Sequence, residues 1–144
     1  MIDADAIFFD IGGTLAEAHL SDIGRLVSLE PLPGVRDVLV RISAAGYRLG
    51  LISNTGEETG ATIRKALTEA GLFSFFAGEP ELLIYSSEVH MEKDSPEIFR
   101  LACRRAGLDA RPERCLFVGD DERERQFASE AGMQVADGPQ ALAE

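Results

Sequence analysis

Short apolar runs alternate along the chain with segments in which apolar residues recur at helical spacing. Four runs are typical of strands buried on both faces, and a shorter strand follows near the end; they lie at residues 6–9, 47–53, 81–87, 115–119 and 133–136. Between them, apolar residues recur every three or four positions, which predicts helices at residues 35–42, 63–70, 96–106 and 121–131. Strands separated by helices imply right-handed crossovers and a parallel sheet covered on both faces.

Turn-forming residues refine this prediction. Ser95 is expected to be the N-cap of a helix, with Pro96 as its first residue. Residues 16–33 are polar and irregular, and they predict a small flap that is too short for a helical lid. The 144 residues suffice for one core, so residues 1–144 are expected to form a single domain. Its expected fold is a doubly wound three-layer α/β/α sandwich with a mostly parallel, Rossmann-like sheet and no substantial cap.

The charge of the chain restricts its partners. Fourteen basic and twenty-five acidic residues give a net charge of −11, which disfavours nucleic acid and anionic membrane surfaces. No apolar run approaches the length of a membrane span. Cys103 and Cys115 lack metal-type spacing, and no secretory segment precedes them, so reduced thiols and a cytoplasmic location are expected.

Candidate reactive groups follow several of the predicted strands. Asp10 ends the first apolar run and is followed by two glycines, which allow close approach of a ligand to the backbone. Ser53 ends the second run, Lys93 follows the third, and the pair Asp120 and Asp121 follows the fourth. Because the carboxyl ends of parallel strands meet at one edge of a sheet, these groups are expected to converge there.

This order of motifs resembles the haloacid dehalogenase superfamily, most members of which are magnesium-dependent phosphatases. The resemblance runs from about Ile7 to Met133 and rests on Asp10 with Thr14, on Ser53, on Lys93, and on Gly119 with the acid pair. It implies that Asp10 attacks phosphorus and forms an aspartyl-phosphate. Ser53 and Lys93 would then bind the phosphoryl oxygens.

The resemblance also implies a magnesium site. Asp10, the backbone carbonyl of Gly12 and Asp120 would be its ligands, an oxygen-only set that suits Mg²⁺. Either Asp121 or Glu124 would complete or orient the shell; the further acid that the family often has is replaced by Arg125.

Lys93 and Asn54 have additional arguments. The chain has two lysines, Lys65 and Lys93, against twelve arginines, so a lysine at the motif position is not background usage. A compact ammonium also fits between two anions better than a planar guanidinium does. Asn54 either contacts the substrate or caps the turn after Ser53.

Gly12 is the main departure from the family pattern. Phosphatases of the superfamily usually have a second aspartate there, which protonates the leaving group and activates water, and glycine can do neither. Metal-free dehalogenases are disfavoured by the acid pair, and phosphonatases by the lack of a cap lysine. Three explanations stay open: a leaving group that needs little protonation, a substitute acid such as Glu17 or His19, or low activity.

Two functions are therefore carried forward. The first is a capless magnesium-dependent phosphatase with a phosphorylated substrate, small or macromolecular. The second is a weakly active or inactive member that binds a metal, an anion or a protein partner. An open site could accept an extended substrate or be closed by a second subunit, and Phe73, Phe75 and Phe76 either form such a contact or lie buried.

Overall fold

The computed structural model describes residues 2–143, and within them a five-stranded parallel sheet lies between two layers of helices. The strands are β1 (Ala6–Phe9), β2 (Ala16–Leu20), β3 (Leu26–Pro31), β4 (Arg48–Ser53), β5 (Leu83–Tyr85), β6 (Cys115–Val118) and β7 (Gln134–Ala136). The helices are α1 (Val35–Ala44), α2 (Gly60–Glu69), α3 (Ser86–Val89), α4 (Glu97–Arg105) and α5 (Glu122–Glu130).

The strand order of the main sheet is β5-β4-β1-β6-β7. The chain winds from β1 through β4 to β5, and then returns to the other side of β1 to add β6 and β7. Helices α1 and α2 pack on one face, and α4 and α5 pack on the other. The doubly wound α/β/α prediction is confirmed, and the direction of winding reverses between β1 and β6, where such folds bind ligands.

Strand β1 explains why the apolar runs are continuous. Ile7 and Phe9 point into the core beneath α1 and α2, whereas Ala6 and Phe8 point into the core beneath α4 and α5. All four side chains are fully buried, because a central parallel strand has helices on both faces. Each of its large side chains contributes roughly 1.5–3 kcal/mol through burial.

The three phenylalanines after α2 belong to the core. Phe76 is fully buried, and its ring packs edge-to-face against Phe9 with centroids 6.0 Å apart. Phe73 and Phe75 are partly buried against the same cluster. The segment therefore packs against the core rather than forming an exposed aromatic patch.

Residues 16–33 are more regular than the sequence predicts. Strands β2 and β3 form an antiparallel hairpin, in which the register shifts between His19 and Leu20. Leu20 therefore pairs with Leu26, and Val27 is bulged and exposed. The prediction of an irregular stretch was wrong because the strands of a polar, half-exposed hairpin lack the continuous apolar run of a central strand.

Two predicted boundaries also differ. The run 81–87 yields the three-residue strand β5, since Pro80–Leu82 form a 3-10 turn and Ser86 begins α3. Pro96 is the N-cap of α4 rather than its first residue, although the Ser95 hydroxyl still accepts a hydrogen bond from the Glu97 N–H at 3.3 Å. The other predicted strands and helices are present, with ends displaced by a few residues.

The structure also bears on two expectations from composition. No helix within residues 2–143 has the length and hydropathy needed to cross a bilayer. Cys103 and Cys115 are buried as free thiols in the core beneath α4.

An ion pair at the amino end of β4 gives a stability prediction. Arg48 donates three hydrogen bonds of 2.7–3.1 Å to Glu79, and it lowers the pKa of that carboxyl. A lowered carboxyl pKa stabilises the fold above the unfolded-state pKa, and this contribution is lost as the pH falls through the folded-state value. Because both side chains are about one-third exposed, Glu79→Gln is expected to cost at most about 1 kcal/mol at neutral pH.

The measurement is thermal unfolding of both proteins. The variant should melt a few degrees lower than the wild type at about pH 7, and the difference should shrink and then vanish as the pH falls through the folded-state pKa of Glu79. A difference that persists in acid would assign the loss to packing rather than to charge.

Candidate active site

Asp10 lies where β1 ends, at the point between β1 and β6 where the winding reverses. Its N–H donates to the Val118 carbonyl at 2.9 Å, which fixes the residue against the end of β6. The carboxyl of Asp10 is largely buried, with a side-chain exposure of 12%. A tight turn follows, in which the Ile11 carbonyl accepts the N–H groups of residues 14, 15 and 16.

Lys93 is the cation that faces this carboxylate. Its ammonium donates to Asp10 Oδ1 at 2.6 Å and lies 2.9 Å from Glu124 Oε1. The approach to Glu124 is not aligned for a hydrogen bond, and within residues 2–143 this buried oxygen has no hydrogen-bond partner. The lysine side chain is only 2% exposed, and its Nζ lies 5.7 Å from the centre of the Phe117 ring. Lys93 is therefore held between two carboxylates and an aromatic face.

Thr14 joins Asp10 to Asp120. Its hydroxyl donates to Asp10 Oδ2 at 3.2 Å and accepts the Asp120 N–H at 3.1 Å. Gly13 has a φ of 78°, and a Cβ at this position would collide with the Asp120 carboxylate. A glycine is thus required by both the backbone angle and the close approach of Asp120.

The site has an excess of negative charge. Burial raises the pKa of Asp10, the Lys93 ammonium opposes this rise, and the Asp120 carboxylate adds to it. Burial also raises the pKa of Glu124, and Lys93 again opposes it. One ammonium therefore faces more than one partly buried carboxylate, an arrangement that a cationic ligand would stabilise.

Ser53 and Asn54 follow the adjacent strand β4. Ser53 is the last residue of that strand and is buried, with 6% of its surface exposed. The Asn54 side-chain carbonyl accepts the Lys93 N–H at 2.9 Å, so Asn54 positions the loop that carries the lysine. Lys93 itself lies eight residues beyond β5, after α3, rather than directly at a strand end.

Comparison with known proteins assigns the chain to a family. The model of the haloacid dehalogenase-like hydrolases matches residues 18–132. This chain belongs to the haloacid dehalogenase-like hydrolase family. The matched range begins after Asp10, so the family assignment rests on the remainder of the core and leaves the role of that carboxylate to the geometry of the site.

Several relatives of known activity share this family's core. The chain is 37% identical over 110 residues to a glyceraldehyde 3-phosphate phosphatase of Methanothermobacter thermautotrophicus, covering 74% of this chain and 44% of that protein. It is 34% identical over 100 residues to a phosphoglycolate phosphatase of Salmonella choleraesuis, covering 69% and 36% respectively. The chain therefore spans less than half the length of the curated relatives it matches.

Solved structures show the same fold. A haloacid dehalogenase-superfamily hydrolase from Ehrlichia chaffeensis superposes with a TM-score of 0.74 at 16% identity, covering 99% of this chain and 98% of that one. A hydrolase from Streptococcus pneumoniae gives a TM-score of 0.70 at 15% identity, with coverage of 94% and 93%. Both structures share the fold of this chain over almost all of its length.

The structure brings together only part of the predicted metal set. Asp10 and Asp120 share the Thr14 hydroxyl as a hydrogen-bond partner. Gly12 lies two residues after Asp10, in the turn that leads to Thr14. Asp121 instead caps α5, since its Oδ1 accepts the Glu124 N–H at 3.0 Å, and Glu124 faces Lys93. Within residues 2–143, no three acidic, imidazole or thiol groups converge as metal ligands. A Mg²⁺ ion commonly uses one or two carboxylates with water and substrate oxygens, so the pair Asp10 and Asp120 still fits it.

The substitute acids named for the family's missing aspartate lie elsewhere. Glu17 and His19 are on the face of β2 opposite to Ala18, and His19 Nε2 lies 3.0 Å from Glu30 Oε1. A cavity of about 270 Å³ adjoins Gly12, and neither residue lines it. Neither side chain therefore lies where it could donate a proton to a leaving group beside Gly12.

Two contacts were not predicted from the sequence. Arg25 donates to both carboxylate oxygens of Glu58, at 3.0 and 3.2 Å, and the Leu26 N–H donates to the same carboxylate at 2.8 Å. These bonds tie the hairpin to the loop before α2, and Arg25 lowers the pKa of Glu58. Arg125, where the family often has an acid, donates to the Gly119 carbonyl at 2.8 Å. No local pattern signals either contact, because each joins an ordinary surface residue to a loop.

The capping role of Asp121 can be tested directly. Asp121→Ala is expected to lower the free energy of unfolding by about 1 kcal/mol, because the Glu124 N–H loses its acceptor. Asp121→Asn keeps a good capping side chain and should lose no more than a few tenths of this amount. Urea unfolding at neutral pH measures both changes, and an equal loss in both variants would show that charge matters rather than capping.

Proposed function

We propose that this protein is a magnesium-dependent phosphomonoester hydrolase that acts through an aspartyl-phosphate on Asp10. The observation that carries the proposal is the buried Asp10 carboxylate, hydrogen-bonded to Lys93 at 2.6 Å and joined through Thr14 to Asp120. The phosphatase names of the relatives support it.

The proposed reaction has two steps. An oxygen of Asp10 attacks phosphorus, the bond to the leaving oxygen breaks, and that oxygen departs with the electron pair. Water then attacks the phosphorus of the aspartyl-phosphate, gives up a proton, and releases phosphate and the Asp10 carboxylate. Lys93 and Ser53 stabilise the charge on the phosphoryl oxygens in both steps.

The proposed magnesium site consists of Asp10, the Gly12 carbonyl and Asp120. The negative excess of the site supports a cation here, because in the described part of the chain Lys93 alone faces the Asp10 and Glu124 carboxylates and the Asp120 carboxylate further raises the pKa of Asp10. A bound Mg²⁺ would neutralise the repulsion between the Asp10 carboxylate and the phosphate. We assign Glu124 to holding Lys93 in place and Asp121 to capping α5, with neither as a ligand.

Gly12 decides which substrates would react. The first step gains no help from a proton donor at this position, so leaving groups of low basicity, such as phenols, should react fastest. An alkyl phosphate should react more slowly by about a hundred- to ten-thousandfold, which is the usual contribution of a positioned acid or base.

The test is release of phosphate from 4-nitrophenyl phosphate with Mg²⁺ and with the metal removed by chelation. We expect turnover with the metal and a return to background without it. Turnover that survives chelation would contradict the metal assignment, and activity that also survives in a Lys93→Met variant would contradict the whole site.

Gly12 also supports a second function, in which the protein binds a metal and an anion without turning over. In that case wild-type protein would leave 4-nitrophenyl phosphate intact, although Mg²⁺ with beryllium fluoride would still raise its melting temperature. The two functions therefore differ in turnover, even if both ligands bind.

A further inference from the structure

A cavity of about 270 Å³ lies between the β2–β3 hairpin and the loop that follows β4. Gly12, Ser53 and Asn54 form the wall on the side of the reactive groups. The opposite wall belongs to the hairpin, including Ala18 and Leu20. The cavity is thus continuous with the site where the phosphoryl group is proposed to bind.

The register shift in the hairpin shapes this cavity. Because Val27 is bulged out, Leu26 pairs with Leu20, and both residues line the cavity. Leu29 and Ile63 extend the same apolar surface. The Arg25–Glu58 contacts and the Leu26 N–H bond hold the hairpin over it. The hairpin is therefore anchored to the loop before α2 at the edge of the cavity.

The size of the cavity limits its occupant. A volume of 270 Å³ equals that of about nine water molecules at roughly 30 Å³ each. It lies below the range of about 300–1,000 Å³ that is usual for drug-sized ligands. A single aromatic ring or a short polyol fits this volume, whereas a larger leaving group would extend past the exposed residues Ala18 and Leu20 at its rim.

The charge of the cavity restricts its occupant further. Arg25 is paired with Glu58, so these two lining residues cancel. Glu57 also lines the cavity, and among the ion pairs within residues 2–143 none involves it. The whole chain has a net charge of −11. A leaving group with its own carboxylate or phosphate would meet like charge there.

A larger cavity of about 470 Å³ lies on the other side of the same turn. It reaches Gly13 and Thr14, but neither Ser53 nor Asn54 lines it. The Thr14 hydroxyl is already engaged by Asp10 and Asp120. The smaller cavity is therefore the better candidate for the leaving group.

We propose that the cavity under the hairpin is the leaving-group subsite, and that it selects compact, uncharged alcohols or phenols, with Glu57 excluding anionic ones. This inference rests on the proposed phosphatase function.

Two phosphate esters of equal shape test the charge selection. The leaving groups of 4-carbamoylphenyl phosphate and 4-carboxyphenyl phosphate have nearly the same shape and differ by one negative charge. The carbamoyl phenol is also slightly less basic, so the test compares the preference between wild type and variants, in which the difference in basicity cancels. Wild-type protein is expected to prefer the carbamoyl compound in kcat/KM by about tenfold, as expected for like charges at a partly solvated site. Glu57→Lys should abolish or reverse this preference.

Glu30→Lys is the matched control, since Glu30 lies on the opposite face of the hairpin and the change in net charge is the same. Its preference should stay within about twofold of the wild type. An unchanged preference in Glu57→Lys, or an equal change in both variants, would overturn the assignment of Glu57.

Cavity size is tested by Ala18→Phe, which places a ring in the cavity, with Ser28→Phe on the opposite face as control. Ala18→Phe should lower kcat/KM for the aryl ester by about tenfold more than for acetyl phosphate, whose leaving group is much smaller. Equal losses for both substrates would overturn the subsite. Wild-type protein that hydrolyses no ester would instead overturn the proposed function, so the two failures are distinguishable.

Discussion

Asp10→Asn is expected to lower kcat for 4-nitrophenyl phosphate by about a thousandfold or more, because the attacking oxygen is replaced by an amide. Phosphate release with saturating Mg²⁺ measures this loss. The two side chains that contact the Asp10 carboxylate could not replace it as the nucleophile. Lys93 is a cation, and the Thr14 hydroxyl already donates one hydrogen bond and accepts another. The loss should therefore appear in kcat rather than in KM.

The Asp10→Asn protein should also remain folded. Burial raises the pKa of Asp10 above its unfolded-state value, so at neutral pH the ionised carboxyl costs stability instead of supplying it. The neutral amide removes this cost but also takes one carboxylate from the buried Lys93, which keeps Glu124 as its partner, so we expect a melting temperature close to that of the wild type. Asp109→Asn, at an exposed carboxylate after α4, is the control and should retain full activity. Substantial activity in Asp10→Asn would exclude this carboxylate as the nucleophile.

Gly12→Asp is expected to raise turnover of alkyl phosphates by about a hundredfold, because it supplies the missing proton donor. The structure permits the substitution: a Cβ at Gly12 meets nothing within 4 Å, and the φ of this residue is outside the left-handed region. The side chain would enter the wall of the cavity proposed for the leaving group. Turnover of glycerol phosphate and of 4-nitrophenyl phosphate measures the gain, which should be far smaller for the aryl ester.

Gly12→Asn is the matched control for this prediction. The amide has the same shape as the acid but cannot transfer a proton, so it should give no gain. Gly13→Ala should instead lose activity, because its backbone angle is strained for alanine and the new methyl group would collide with Asp120. If Gly12→Asp gave no gain on alkyl esters, proton donation would not be the step that limits the wild-type protein.

The central sheet was predictable because local sequence specifies it. Phe8 and Phe9 lie in a short run that is typical of a strand buried on both faces, and α4 has its buried residues Ile98, Phe99 and Ala102 at helical spacing. The hairpin was missed because its strands are half exposed, so their pattern does not differ from that of a polar loop. The end of β5 was misjudged because Ser86 turns into α3 rather than continuing the strand.

The candidate site was partly predictable for the same reason. Asp10 and Ser53 are adjacent to apolar runs, and parallel strands place their carboxyl ends at one edge. The role of Asp121 was ambiguous, since a carboxylate before a helix serves equally well as a cap or a metal ligand. Its hydrogen bond to the Glu124 N–H shows the capping contact, and a place for Asp121 in a metal shell stays a prediction.

By itself, the sequence determined the doubly wound sheet and the strand ends at which Asp10, Ser53 and Asp120 lie, because both follow from hydrophobic periodicity. Only the tertiary structure decided that Lys93, 83 residues from Asp10, sits between that carboxylate and Glu124. It also decided that Arg25 and Glu58 hold a hairpin over a small cavity. Such contacts depend on where two distant surfaces meet after folding, and neither surface has a local pattern that encodes its partner.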